Sequence, residues 1–158
     1  MAAGRRQAEF VDHTDLFQTL LDFAGVRMEP GLLRQRHYPG RSFGALLSGK
    51  GSADWRTDQF GEYGNMRMIR TRTHKLVRTY PQGAARLFDL QVDPRETTDL
   101  ASLPWYTDLV ADLGGRLHAY FDAYQDPARS GLNVSRLPRY NHAEPWHATD
   151  EAMQRRFE

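Results

Sequence analysis

The sequence predicts an α+β fold in which a four-stranded antiparallel sheet packs on a long C-terminal helix. Four short strand-like segments lie between residues 59 and 90 and are separated by turn signals, which is typical of an antiparallel meander. From about Pro104 to Tyr124, apolar residues recur every three to four positions, which predicts one long amphipathic helix. An earlier apolar repeat over residues 12–25 predicts a separate helix ahead of the sheet.

The first predicted helix carries signals at both of its ends. Asp12 is the expected N-cap, Asp15 lies where a carboxylate meets the free N–H groups of the first turn, and Gly25 is the expected left-handed C-cap. Its apolar side chains share one wide face, which we expect a sheet or other helices to cover. These side chains are Leu16, Phe17, Leu20, Leu21, Phe23 and Ala24. Prolines and glycines predict a loop over residues 26–41, after which Ser42 caps a short helical turn over residues 43–47.

The predicted strands cover residues 59–63, 66–71, 74–80 and 86–90. In the long helix, Gly114 and Gly115 cost about 1 kcal/mol each relative to alanine, which indicates either a close packing contact or a kink. Asp126 and Pro127 end that helix. We expect an irregular tail after it, with a last exposed helix over residues 149–157.

Composition and charge are those of an ordinary globular domain. The 158 residues are 40% hydrophobic and 26% charged, and the formal net charge is +1, so neither nucleic acid nor a membrane surface is an expected partner. No apolar run approaches the ~20 residues that span a bilayer. Cysteine is absent, which excludes disulfides, thiolate catalysis and cysteine-ligated metal. A cysteine-free chain is compatible with every compartment, so the sequence leaves the localisation unknown.

Two groups of residues have the composition of a metal site. Glu144 lies between His142 and His147, but the spacing matches no standard motif and an intervening proline prevents helical presentation, so packing or surface roles are favoured. The second group is acidic and surrounds the turn at Asp93; its members are Asp89, Asp93, Glu96 and Asp99. It lacks the glycine and terminal glutamate of a calcium loop. We therefore favour carboxylates that accept hydrogen bonds from turn N–H groups over a cation site.

Ser42 and a set of strand cations each allow a functional and a structural interpretation. Ser42 lies in a glycine-flanked segment like a nucleophile elbow, but no buried strand precedes Gly40, so a helix cap is favoured. The cations either form a face for a sulfate- or phosphate-bearing substrate or are the solvated face of a small sheet, which we favour. They are Arg67, Arg70, Arg72, Lys75, Arg78 and Arg86.

Three segments in series resemble the C-terminal part of the sulfatase family, in the alkaline phosphatase superfamily. Val11–Gly25 resembles the family pattern V-S-x-x-D-L-x-P-T-L-L-D-x-A-G, and Gly40–Gly49 is similar to G-x-S-L-x-P-L-L-x-G. Residues 68–77 and 86–101 resemble R-x-x-K-Y-I and E-L-Y-D-L-x-x-D-P-x-E-x-x-N-L-A. The series covers roughly residues 9–125. Four positions depart from residues frequent in the family, in ways compatible with capping and turn roles: Asp12, Gln18, Gly44 and Asp99.

The resemblance implies a mechanism for a complete family member. Sulfatases use a formylglycine made from the first residue of a Cys/Ser-x-Pro-x-Arg motif, a divalent cation, usually calcium, held by Asp and Asn, and Lys and His residues around the sulfate. No such motif occurs in these 158 residues, so no catalytic or metal-binding residue is carried over and the substrate-binding residues stay unknown. Calcium is expected for a complete family member and no cofactor is assigned to this chain.

The same resemblance divides the chain into three parts. Residues 1–50 are expected to be the C-terminal remnant of a large, truncated α/β catalytic domain, of which the first predicted helix is the last helix. Residues 51–126 are expected to form the small C-terminal sheet-and-helix domain, and residues 127–158 the irregular tail.

Two functional hypotheses of different classes follow. The first is a C-terminal fragment of a sulfatase-like hydrolase that is inactive alone and whose partner is the missing N-terminal domain or a second protomer. Whether this chain is itself an enzyme is left open. The alternative is a stand-alone binding module that uses the apolar face of the first helix together with Tyr140 and Trp146. Descent from a phosphoryl-transferring relative is less favoured, because the string around Asp93 is closer to sulfatases.

Overall fold

The computed structural model describes residue 4, residues 6–51 and residues 53–133. Helix α1 covers His13–Phe23 and is closed at both ends, as predicted. The Asp12 carboxylate accepts the N–H of Thr14 at 2.7 Å, and the Asp15 carboxylate accepts the N–H of Asp12 at 2.9 Å, which completes a capping box. Gly25 follows the helix in the left-handed region at φ +70°, and its N–H and that of the next residue donate to carbonyls of the last turns.

Two short helices lie between α1 and the sheet. Helix α2 covers Pro30–Gln35, so the loop predicted over residues 26–41 is partly helical. A proline does not break a helix at its first position, because the N–H there has no partner within the helix. Helix α3 covers Gly44–Leu47 and begins one residue later than predicted, with Phe43 at the N-cap position.

Four antiparallel strands form one sheet in the order β1-β2-β3-β4, which confirms the predicted meander. The strands are β1 Gln59–Tyr63, β2 Met66–Arg70, β3 His74–Thr79 and β4 Ala84–Asp89. The predicted ends differ by one or two residues, most at the start of β4, where pairing with β3 already begins at Ala84. Gly64 makes the turn between β1 and β2 at a φ of +55°, a conformation that glycine adopts without steric cost.

A long helix closes one side of the sheet. A 3₁₀ turn at Pro104–Tyr106 leads into α4, which covers Thr107–Tyr124, as the apolar repeat predicts. Phe60 of β1 stacks on Tyr120 with ring centroids 3.9 Å apart. The core between sheet and helix consists of Ile69, Leu76, Leu87, Leu113, Leu117 and Phe121. Burial of each such side chain contributes about 1.5–3 kcal/mol, so this half of the molecule has a core of its own. The α+β architecture is thereby confirmed.

The pleat gives the sheet an inner face toward α4 and an outer face away from it. Ile69, Leu76 and Leu87 are paired neighbours on β2, β3 and β4, and all three are fully buried on the inner face. Side chains one residue away along each strand therefore lie on the outer face. Met68 and Val77, which pair across β2 and β3, are two of these.

The described chain continues past α4 into a short 3₁₀ turn at Gly131–Asn133, within the segment predicted to be irregular. The last helix predicted over residues 149–157 lies outside the described residues. Among the residues that the structure describes, no helix is both long and apolar enough to cross a membrane. The division into residues 1–50, 51–126 and 127–158 stays a prediction.

The two adjacent glycines of α4 have opposite surroundings. A Cβ atom on Gly114 would lie 2.6 Å from Nη2 and 3.0 Å from Cζ of Arg78, whereas a Cβ on Gly115 would have no neighbour within 4 Å. Helix α4 runs through both positions without interruption. Of the two alternatives that the sequence left open, a close packing contact is therefore the one adopted, because Gly114 gives the Arg78 guanidinium room between β3 and α4.

We expect Gly115→Ala to raise the free energy of unfolding by about 0.5–1 kcal/mol, because alanine is the better helix former. Gly114→Ala gains the same propensity but displaces the Arg78 guanidinium. Its effect should therefore be at least about 1 kcal/mol less favourable than that of Gly115→Ala. Urea unfolding of the two variants measures the difference, and equal gains at both positions would contradict a packing role for Gly114.

Candidate functional site

The junction between α1 and β1 is organised around a buried carboxylate. Asp15 has an exposed fraction of 0%, and its Oδ1 accepts the backbone N–H of Arg41 at 2.8 Å and a guanidinium N–H of Arg56. Its Oδ2 accepts the N–H of Asp12, and Arg56 reaches the Asp12 carboxylate at 3.3 Å. A carboxylate withdrawn from water needs such a set of donors, because a buried charge without partners is strongly destabilising.

Trp55 holds the two arginines of this junction in place. The guanidinium carbons of Arg41 and Arg56 lie 5.2 and 5.4 Å from the centre of its ring, within cation–π range. The indole N–H donates to the carbonyl of Phe10 at 2.8 Å, which anchors the chain just before α1. The segment before β1 therefore binds α1 by the polar side of the helix.

Helix α1 buries its polar side and exposes its apolar side. Asp15 and Thr19 are its buried residues, and the Thr19 hydroxyl accepts the N–H of Phe43 at 3.0 Å. By contrast, Leu20 is 65% exposed and Phe23 is 59% exposed. The face that we expected neighbouring elements to cover is thus uncovered within the described residues. We call it the α1 apolar face, and it consists of Leu16, Phe17, Leu20 and Phe23.

Tyr38 lies at one edge of the α1 apolar face. Its ring meets the ring of Phe17 edge to face, with centroids 5.6 Å apart, and its hydroxyl donates to the carbonyl of Thr14. Burial raises the pKa of Tyr38, and the carboxylates of Asp15 and Asp12 raise it further. The hydroxyl is therefore protonated and able to donate throughout the neutral range.

We expect Asp15→Asn to lower the free energy of unfolding by about 3–5 kcal/mol, because it leaves the half-buried Arg56 without its main counter-charge. Asp112→Asn is the matched control, since Asp112 makes an exposed i,i+4 pair with Arg116 whose loss should cost at most about 0.5 kcal/mol. Chemical denaturation of both variants provides the comparison. Similar losses for the two would show that the buried carboxylate has no special role.

The acidic loop after β4 uses its carboxylates to hold its own backbone. Asp93 accepts the N–H of Thr97 at 2.7 Å and the N–H of Thr98 at 2.8 Å. Asp99 accepts the N–H of Leu87 at 3.0 Å, which joins the end of the loop to β4. These are the contacts that the structural interpretation of the sequence predicts.

The other two acidic residues of the loop are also engaged within the protein. Asp89 accepts the N–H of Gln91 at 2.8 Å, and Glu96, at a φ of +58°, pairs with Lys75 at 2.7 Å. The four carboxylates therefore do not converge on a common point. Across the described residues there is no group of three or more histidine or acidic side chains that could hold a metal ion. His142, Glu144 and His147 lie outside those residues.

The loop has a pH dependence that follows from Asp93. The N–H of Thr98 lowers the pKa of Asp93 below its usual value of 3.8, and the hydroxyl and N–H of Thr97 lower it further. Because the pKa is lower in the folded state than in the unfolded state, the stabilisation is complete above the unfolded pKa. It is lost as the pH falls through the folded pKa.

We expect Asp93→Asn to be less stable than the parent chain at pH 7, and the difference to shrink as the pH falls below about 4. Unfolding midpoints across a pH series measure this. Asp54→Asn is the control, since Asp54 is exposed and lies outside the acidic loop, so its variant should match the parent chain to within about 0.5 kcal/mol at pH 7. A stability difference for Asp93→Asn that does not change with pH would contradict the assignment.

The Ser42 hydroxyl makes the contacts of a helix terminus. It donates to the Asp22 carboxylate at 2.8 Å and accepts the N–H of Gly44 at 3.2 Å. A nucleophilic serine needs a base within hydrogen-bond reach that a third group orients. The contacts of Ser42 instead join the end of α1 to the start of α3. Ser42 precedes the N-cap residue Phe43, so its hydroxyl binds the first N–H of the helix from one position earlier than predicted.

The six strand cations do not share one face. Arg67 is 4% exposed on the inner face, pairs with Glu62 at 2.8 Å and lies 4.0 Å from the centre of the Phe121 ring. Arg78 also points inward, and Arg72 lies in the turn between β2 and β3. The outer face retains Arg70, Lys75 and Arg86. The prediction of a single solvated face is wrong for Arg67 and Arg78, since residues separated by an odd number along a strand point to opposite faces.

Comparison with known proteins supplies the family. The model of the family described as N-sulphoglucosamine sulphohydrolase, C-terminal, matches residues 1–123. The chain belongs to this sulfatase C-terminal family. The resemblance seen in the three sequence segments is thereby confirmed. No curated protein matches the chain.

Solved structures of similar fold include sulfatases and a phosphonate monoester hydrolase, all of the alkaline phosphatase superfamily. BT4656, solved with its substrate D-glucosamine-2-N,6-O-disulfate, is 27% identical with a TM-score of 0.58, over 72% of this chain and 24% of that chain. The 2-O GAG sulfatase BT1596 is 23% identical with a TM-score of 0.59, over 78% and 26%. The phosphonate monoester hydrolase of Agrobacterium radiobacter is 23% identical with a TM-score of 0.67, over 78% and 27%. The chain thus spans about a quarter of the length of these relatives.

Proposed function

We propose that this chain is the C-terminal part of a sulfatase-like hydrolase of sulfate esters and that it has no hydrolytic activity alone. Membership of the sulfatase C-terminal family supports the reaction class. The α1 apolar face supports the dependence on a partner, because Leu20 and Phe23 contribute no hydrophobic stabilisation while they are exposed to water. Burial of each such side chain in an interface is worth about 1.5–3 kcal/mol.

In this proposal the chemistry is supplied by another domain, and the chain supplies support. Sulfate transfer requires positive charge that is preorganised at the developing anion. The carboxylates of the acidic loop accept hydrogen bonds from their own backbone and are not arranged for calcium. The divalent cation expected for a complete sulfatase therefore finds no fitting residues in the described part of this chain, and no catalytic step is assigned to it here.

The partner that we propose is the N-terminal catalytic domain of a sulfatase, packed on the α1 apolar face. The motif series matches helix α1 to a segment that in the family belongs to the large domain, which favours that partner over a second protomer. Asp15, Arg56 and Trp55 fix the polar side of the same helix to the small sheet domain. Helix α1 would then be the element that couples the two domains.

A stand-alone interaction module is the second candidate, and the same exposed face favours it. The two proposals differ in what binds there. A sulfatase fragment requires a catalytic domain with a Cys/Ser-x-Pro-x-Arg motif. An interaction module would retain its partner in the absence of any such domain.

We expect the purified chain to show no turnover of 4-nitrophenyl sulfate with calcium present. Co-expression with a sulfatase catalytic domain that carries the Cys/Ser-x-Pro-x-Arg motif should give a complex that hydrolyses the ester. Leu20→Asp combined with Phe23→Asp should abolish co-purification with that domain, because two charges would then be buried in an apolar interface. Val92→Asp is the matched control, since Val92 is 82% exposed in the loop after β4.

Each part of this experiment has an outcome that counts against the proposal. Turnover by the chain alone would contradict its dependence on a catalytic domain. Co-purification that survives the double α1 variant would contradict the assigned interface. A stable complex of this chain with a protein that lacks the Cys/Ser-x-Pro-x-Arg motif would favour the interaction module.

A further inference from the structure

The outer face of the sheet forms an open cationic groove. Arg70 pairs directly with Lys75 on this face, and Arg86 pairs with Val77 on the next row. The loop after β4 brings Arg95 to the same place. Lys75, Arg86 and Arg95 line a groove of about 570 Å³ on the side of the sheet away from α4, and Arg70 lies on the same face outside this lining. We call it the outer groove.

The floor of the outer groove is apolar and flat. It is made by Met66, Met68, Val77 and Phe88. Gly61 has no side chain to fill one side of the groove. The Met68 methyl lies 3.0 Å from the position that a Cβ on Gly61 would take, so a larger residue there would push Met68 into the groove. Tyr63 lies at the end of β1 with 81% of its surface exposed and offers an aromatic ring at the mouth of the groove.

The charges of the outer groove are unbalanced. Glu96 pairs with Lys75 at 2.7 Å, and Glu62, also at the groove, pairs with the buried Arg67 at 2.8 Å. Within the part of the chain that the structure describes, neither Arg86 nor Arg95 makes an ion pair, and the same holds for Arg70. Two guanidinium groups of the groove, those of Arg86 and Arg95, and that of Arg70 on the same face are thus left for an anionic ligand.

We infer that the outer groove binds a sulfated saccharide chain, as a surface that retains the polymeric substrate of the hydrolase proposed above. Guanidinium groups bind sulfate-like oxyanions with two parallel hydrogen bonds, which a lysine-rich surface does not achieve. Arg70 on β2 and Arg86 on β4 are two strands apart, about 10 Å, which is a distance that a chain of sulfated sugars spans and one small anion does not. The apolar floor and Tyr63 suit the C–H faces of sugar rings.

A second class of ligand, an acidic protein segment, is less favoured by the geometry. An extended peptide adds to a sheet through a free edge, where its backbone pairs with the edge strand. The cations instead point away from the plane of the sheet, over a floor of side chains that offers no backbone donors. The inference rests on the proposed function for the identity of the ligand, and the experiment separates the two.

The test measures the affinity of the full chain for a heparin-derived hexasaccharide by isothermal titration calorimetry. Arg86→Glu combined with Arg95→Glu should weaken binding at least about tenfold, since each replaced guanidinium removes charge-assisted hydrogen bonds. Arg129→Glu is the control, because the Arg129 side chain is 88% exposed and does not line the groove, so its effect should stay within about twofold. Both variants change exposed side chains, and far-UV circular dichroism checks that they fold.

Four outcomes would overturn the inference. These are no measurable binding of the hexasaccharide, equal loss of affinity in the groove variant and the Arg129→Glu control, equal binding of the fully desulfated hexasaccharide, and equal binding of a decaglutamate peptide. The last would reassign the groove to an acidic protein segment. Turnover of 4-nitrophenyl sulfate by the reconstituted complex is measured in parallel. Normal turnover without hexasaccharide binding overturns this inference alone, whereas binding without turnover counts against the proposed function.

Discussion

The arrangement of this molecule depends on one buried carboxylate, that of Asp15. Withdrawing a carboxylate from water is expensive, and here the cost is offset by the Arg56 guanidinium and by backbone N–H groups of Asp12 and Arg41. Those donors come from the helix start, from the loop after α2 and from the segment before β1. These donors meet at Asp15 in one arrangement of the chain, and that arrangement determines which side of α1 faces the sheet domain. The polar side is bound, and the apolar side has to face outward.

The molecule therefore has two parts that are stabilised by different kinds of contact. The sheet and α4 close a core on their own, since Ile69, Leu76 and Leu87 meet the apolar side of the long helix. The part around α1 closes no comparable core: helix α1 itself buries Asp15 and Thr19, and the buried apolar side chains beside it in the described chain are Leu46 and Trp55. Hydrogen bonds and the ion pairs of Arg56 with Asp12 and Asp15 hold that part in place, but within the described residues they leave its apolar surface uncovered. The half formed by the sheet and α4 thus has its own core, whereas the half around α1 has an apolar surface that a partner would cover.

Local signals predicted most of the fold and few of the contacts that decide function. Short turns, strand alternation and the caps of α1 act within a few residues, so they are readable from sequence. The periodicity of α1 predicts an apolar and a polar face but does not predict which of them packs on the rest of the protein. Its position in the first turn predicts that Asp15 caps the helix, and does not predict that it is the centre of a buried network. The sequence pattern does not predict the short helix at Pro30, because proline and glycine more often interrupt a helix than begin one. The separation of Arg67 from Arg70 onto opposite faces follows from their odd spacing, and that signal was available.

The segment around Asp93 identifies the family most clearly. Its carboxylates stabilise the fold of the loop and take no part in catalysis that the structure shows. Asp93 holds the N–H groups of Thr97 and Thr98, and Asp99 returns the loop to β4 through Leu87. Such carboxylates cannot be exchanged freely, because backbone N–H groups in a turn have few other acceptors. A motif of this kind is specific because the turn requires it. It therefore indicates family membership but does not indicate a catalytic role. For this chain, clues to function lie instead in the α1 apolar face and in the guanidinium groups of the outer groove that make no ion pair within the described residues.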